Sequence, residues 1–171
     1  MGFMTTISSS RYVVIGCLCA LLLVACSTVS NLGQLLLPDV QLQTVTLEAS
    51  KDVNGGYPVA LDVLLLTDQK VYDALGNLRA TEWFAGKADY LRQHQNKLFL
   101  TSWELVPGQR LEGVSLTVPP QAVIGTLIFA DYLGDRTYRA SVVKKRAVVI
   151  QLNRDDFELL PYDSEPTTKT K

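Results

Sequence analysis

The sequence predicts a mainly β protein, an immunoglobulin-like β-sandwich with a short helical insertion, carried behind an N-terminal export sequence. Three observations lead there. Short segments with period-two apolar alternation recur from Val40 to Leu160. Clusters of Gly, Pro, Asn and Asp break them about every 8 to 12 residues, giving roughly seven strands. One stretch, beginning near Thr81, carries a 3.6-residue period instead.

The first element is an export signal. "MGFMTTISSSR" holds one charged side chain, Arg11, and the fourteen positions from Tyr12 to Ala25 hold none. A bilayer-spanning helix needs about 20 apolar residues, whereas a run this short fits the hydrophobic region of a secretory signal. It ends in "LVAC", which resembles the lipobox of bacterial lipoproteins: a Leu, two small or aliphatic residues, then Cys. The expectation is that residues 1–25 are removed and that Cys26 is acylated on its thiol and its new amine. Cys17, in "VIGC", follows Arg11 too closely to leave a hydrophobic region. Ser27 after the cysteine, in place of Asp, favours the outer membrane with the chain facing the periplasm. Two or more acyl chains give stable anchoring, at about 0.8 kcal/mol per buried methylene.

Maturation at Cys26 leaves 146 residues, enough for one domain with a sizeable core. Lys plus Arg then number 15 against 17 acids, which is no balance for binding nucleic acid. Cys26 becomes the sole cysteine, so packing alone must stabilise the domain.

Residues 26–39 read as a tether with an apolar clump at Leu35–Leu37, and residues 40–160 as the sandwich domain. "VQLQTVTLEA" alternates as Val40 and Leu42, then resets to Val45, Leu47 and Ala49, which predicts a bulge or kink. "SKDVNGGYP" is a loop. "VALDVLLL" is a strand with Val59, Leu61, Val63 and Leu65 on one face. "TDQKVYDALGNLRA" is ambiguous, with a short helix opening at Thr67 or Asp68 and ending at Gly76. "TEWFAGKADYLRQHQ" is the clearest helix, with Thr81 expected as N-cap, Glu82 in its first turn, and Phe84, Ala88 and Leu91 as its apolar face. "KLFLTSWELV" and "LEGVSLTV" are strands separated by the turn "PGQR". "AVIGTLIFADYL" is apolar on both faces and reads as a central strand. "TYRASVVK" and "AVVIQLN" follow, with "KKR" at 144–146 as a hairpin turn between them, and "DFELL" closes the domain. Residues 161–171 have the composition of a disordered tail.

No constellation for chemistry emerges. His94 is the lone histidine, near the end of the expected helix, and Asp155-Asp156 sits in a turn. "NGG" at 54–56 lacks the spacing of a phosphate loop, and no GxSxG, HExxH or paired-carboxylate pattern occurs. The expectation is a binding or scaffolding domain: no enzyme, no cofactor, no metal, no small-molecule substrate and no nucleic acid.

The order of segments says more. A lipobox precedes a strand, then "ASKDVNGGYPVALDVLLLTD", "ATEWFAGKADYL", an isolated "LVPGQ", and the late pair "IGTLIFADYLGDRTYRASVVKKRAVVIQLN". Over about residues 42–160 this resembles TssJ, the outer-membrane lipoprotein family of the type VI secretion system. The ending "VLLLTD" and the arrangement of "YDALGNLRATEWF" depart from the family pattern and mark a divergent member. The resemblance implies a transthyretin-like β-sandwich with added helices. It also implies docking of the periplasmic part of an inner-membrane TssM-like protein through the loop between the first two strands. Here that loop is Lys51, Asp52, Val53, Asn54, Gly55, Gly56 and Tyr57. A Gly-rich loop at the end of a rigid sandwich suits a binding surface, and Tyr57 suits an anchor. The alternative is another envelope lipoprotein, such as a pilotin or an assembly factor for an outer-membrane channel.

Overall fold

Which side chains alternate decides how the strands stack. The computed structural model describes residues 41–134 and 136–162; the expected signal sequence, Cys26 and the end of the tail lie outside them. Eight strands form two four-stranded sheets. The first has the order β4 (Arg110–Ser115), β1 (Thr44–Ala49), β7 (Ala147–Leu152), β8 (Phe157–Pro161). The second has the order β3 (Leu98–Leu105), β2 (Val59–Leu66), β5 (Gly125–Ala130), β6 (Arg139–Val142). All neighbours are antiparallel except β1 and β7, which run parallel.

In the first sheet, Val45, Leu47 and Ala49 register with Val148, Ile150 and Leu152, and all six are buried. The predicted irregularity ahead of Val45 is present: the N–H groups of Gln43 and Thr44 both donate to the carbonyl of Arg146. A second bulge lies in β4, where partners shift from Val45↔Val114 to Leu47↔Leu111. Gly113 sits in it at φ 58°, a left-handed value that favours glycine, and its N–H donates to Thr46 Oγ1 at 3.1 Å.

The second sheet is covered on both faces. Val63 registers with Ile128 and Leu61 with Ala130, toward the first sheet, while Leu64, Leu66, Leu127 and Phe129 are buried on the other face. Expecting a central strand at "AVIGTLIFADYL" was right, but β2 shares that position; its even residues Asp62, Leu64 and Leu66 are as buried as its odd ones.

The cover is helical. The ambiguous segment forms helix α1 (Gln69–Leu75), capped by Asp68, whose Oδ1 accepts from the Val71 N–H at 3.1 Å. The hydrogen bond from Lys97, then that from Val71, holds the Asp68 carboxyl below its ordinary range. Gly125 leaves room for the Tyr72 ring, which a Cβ there would meet at 2.5 Å. Helix α2 (Ala80–Gln93) begins two positions earlier than expected, with Arg79 in place of Thr81 as N-cap: the Glu82 carboxylate accepts the Arg79 N–H at 2.7 Å. Its buried residues are Ala80 and Trp83; Phe84 and Leu91 of the expected face pack, partly buried, against the core, and Ala88 is exposed, so the packing face is centred on Trp83. Trp83 stacks on Phe129 and Tyr90, with centroids 5.4 and 5.8 Å apart. Among the described residues there are thus eight strands where roughly seven were expected, and the short helix left open between Asp68 and Gly76 is present beside the expected insertion. The run 144–146 is no hairpin either: it crosses from β6 in one sheet to β7 in the other.

Candidate docking surface at one end of the sandwich

Strand register gathers four connections at one end. Glu48 pairs with Arg110, Val59 with Leu105, Leu61 with Ala130, and Leu152 with Phe157. The loops 50–58, 106–109 and 153–156 and residues 131–134 and 136–138 therefore lie together.

The loop expected to dock divides into a part that holds and a part that presents. Val53 and Asn54 are buried, within a 3-10 turn at Val53–Gly56, whereas Lys51, Asp52, Gly55, Gly56 and Tyr57 are exposed. Asn54 adopts φ 49°, which its short polar side chain tolerates. Its Nδ2 donates to the Pro58 carbonyl at 3.0 Å, and its Oδ1 accepts from the Leu133 N–H at 2.6 Å. One side chain thus closes its own loop and ties it to the next. Gly55 and Gly56 continue with φ of 68° and 94°, and Ser50 Oγ donates to Asp52 Oδ1 at 2.9 Å.

The next loop is tied in turn. Tyr132 is buried, stacks on Tyr138 at 5.0 Å, and places its hydroxyl 3.0 Å from the Asn153 carbonyl and 2.9 Å from that of Asp156. Burial, and then the Asp156 charge, push its phenol well up, so it remains a donor. Burial, and then the charge of Asp62, raise the Asp131 carboxyl as well. The result is a rim whose loops are tied together at Asn54 and Tyr132. On it stand three exposed apolar side chains: Tyr57 (62%), Val106 (51%) and Leu133 (69%). Val106 and Leu133 were missed in the sequence; the available signal was an apolar residue inside each of the turn segments "LVPGQ" and "DYLGD". Around them lie Asp52, Asp131, Asp155 and Asp156, with Lys51, Arg136 and Arg154. Arg136 lies 3.6 Å from Asp156, and Arg154 4.0 Å from Asp155.

Behind this end a buried carboxylate fixes α2 to the sheet. Asp62, 1% exposed on β2, accepts from Trp83 Nε1 at 2.8 Å and from Lys87 Nζ at 2.8 and 3.0 Å. Lys87 also reaches Ser102 Oγ at 3.1 Å. This group is fully paired and points into packing, so it orders structure. A shallow open groove of about 360 Å³ lies between α1 and the β5–β6 pair, lined by residues that include Tyr72, Asp73 and Arg139. Arg139 is already engaged with the Leu78 carbonyl at 2.8 Å. His94 is the C-cap of α2, away from that groove. Among the described residues no group of three His, Cys, Asp or Glu gathers to hold a metal, and no helix is long and apolar enough to cross a membrane.

No protein-family model matches the chain, and no curated protein matches it either. Solved structures do match. The crystal structure of the type VI secretion lipoprotein TssJ1 from Pseudomonas aeruginosa aligns with TM-score 0.58 at 17% identity, covering 72% of this chain and 98% of that one. The fold is that of a TssJ lipoprotein. A chain described as type VI membrane complex has a TM-score of 0.54 at 18% identity, over 71% of this chain and all of that one. A chain in a structure described as the TssM C-terminal domain from EAEC has a TM-score of 0.51 at 16% identity, over 71% and 100%.

Proposed function

We propose that this chain is an outer-membrane lipoprotein, acylated at Cys26 and facing the periplasm, that scaffolds a type VI secretion membrane complex by docking the periplasmic part of an inner-membrane TssM-like protein. The observation that carries it is the rim: Tyr57, Val106 and Leu133 exposed on loops locked by Asn54 and Tyr132. A rigid apolar cluster with polar surroundings has the anatomy of an interface, and prior order lowers the entropy cost of association. The fold shared with type VI secretion lipoproteins supports the assignment.

The test is capture of the full chain from crosslinked envelopes, with partners identified by mass spectrometry. The expected partner is a large inner-membrane protein with a periplasmic domain. Tyr57→Ala should weaken that capture about tenfold or more, as for an aromatic anchor. Capture of an outer-membrane channel alone would replace this reading with that of a pilotin or assembly factor.

A further inference from the structure

The opposite end of the sandwich has a different character. There the chain reaches β1 at Gln41–Thr44, and there β2 ends, β5 begins, β6 ends, β7 begins and β8 ends. Three more exposed apolar side chains stand at this end: Ile124 (46%), Val143 (59%) and Tyr162 (43%). Next to Val143 come Lys144, Lys145 and Arg146, all exposed and without an ion-pair partner among the described residues. Among the described residues the nearby charges are Lys70 and Asp73 on α1, and the Lys97–Asp68 ion pair at 2.9 Å. The loop 117–124 contributes none. The connection 143–146 is also held in place, since the Arg146 carbonyl accepts from both Gln43 and Thr44, at 2.8 and 3.2 Å. At the other end, among the described residues, the acids Asp52, Asp131, Asp155 and Asp156 outnumber Lys51, Arg136 and Arg154, and the last two lie beside Asp156 and Asp155. The molecule is therefore polar along its length, with a basic and apolar end where the N-terminal segment joins.

We propose that this end rests on an anionic phospholipid surface, with Lys144, Lys145 and Arg146 against the phosphates and Val143, Ile124 and Tyr162 at the headgroup boundary. Basic side chains beside exposed apolar and aromatic ones match the two components of such a surface, charge and a partly apolar interface. The placement explains why the cations have no ion-pair partner among the described residues, next to an exposed valine. It also directs the rim of Tyr57, Val106 and Leu133 away from the lipid, toward a partner. The proposal rests on the anchored-lipoprotein reading for what brings the domain to the membrane, but the contact itself uses only the folded domain.

The experiment reconstitutes the full chain into phosphatidylcholine vesicles with or without phosphatidylglycerol, each carrying a photoactivatable headgroup lipid. Vesicles are recovered by flotation, and lipid adducts are mapped by mass spectrometry. Adducts should concentrate on 143–146, Ile124 and Tyr162, leave 51–57 and Leu133 unlabelled, and require the anionic lipid. The combined variant Lys144→Glu, Lys145→Glu and Arg146→Glu should lose adducts by at least about fivefold, the contribution expected of one basic residue near an anionic surface. Its denaturation midpoint should match the parent, and Val143→Ser serves if it does not. Even labelling of both ends, indifference to lipid charge, or crosslinks from 143–146 to protein alone would overturn the proposal. The mass of the floated chain reports acylation at Cys26 separately. Selective labelling of an unacylated chain would uphold the surface and refute the anchor, and a chain that does not float would refute both.

Discussion

Asn54 shows how one side chain can set the shape of a surface it does not join. It is buried, takes a left-handed backbone conformation, and spends its donor on Pro58 and its acceptor on Leu133. Asn54→Gly keeps the backbone conformation accessible but strands a carbonyl and an N–H. It should cost about 1–3 kcal/mol in urea denaturation and speed amide exchange at Leu133. An unchanged midpoint would mean that the loops are held by something else. Read as a sequence, "NGG" signals a loop, but nothing local says that its first residue faces inward. Its acceptor serves a residue 79 positions away. Asp62 was likewise illegible. A carboxylate in "VALDVLLL" reads as a break in an apolar run, and its partners Trp83 and Lys87 come from an element whose placement the sequence does not give.

Elements were legible where one period dominated. Val148, Ile150 and Leu152 were readable as a buried face because alternation there is unbroken. The reset before Val45 was readable as a bulge because it changes the phase of that alternation. Helix α2 was found from its period but placed wrongly by its cap. Thr81 has the favoured side chain, yet the first turn is closed by Glu82 reaching back three residues to the Arg79 N–H. Glu82→Ala should therefore cost about 0.5–1.5 kcal/mol, whereas Thr81→Ala should be near neutral; circular dichroism melts of both variants check this. Equal losses would restore Thr81 as the cap. The face of α2 was read at Phe84 and Leu91 but not at its centre, because Trp83 packs by stacking on Tyr90 and on Phe129, a choice made by the sheet beneath it. The KKR segment was misread as a hairpin because a turn between strands looks alike in sequence whether it stays within a sheet or changes sheets.

Over the whole molecule, the six large apolar side chains exposed among the described residues divide evenly between the two ends of the sandwich. That division was invisible in the sequence, since Tyr57, Val106 and Leu133 are brought together only by strand register. Leu133→Asp should abolish partner capture without moving the denaturation midpoint, because the side chain is 69% exposed; capture equal to the parent would confine docking to the 51–57 loop. The two ends also give the parallel β1–β7 pair a mechanical meaning. The chain joins the domain through β1, which is flanked on both sides, by β4 and β7. A pull on Gln41 along the strand, resisted by a partner held at the far end, would load these backbone hydrogen bonds in shear, so that several must break at once. A strand at the sheet edge, peeled sideways, would give them up one at a time. Placing the first strand inside its sheet suits the domain to carry tension.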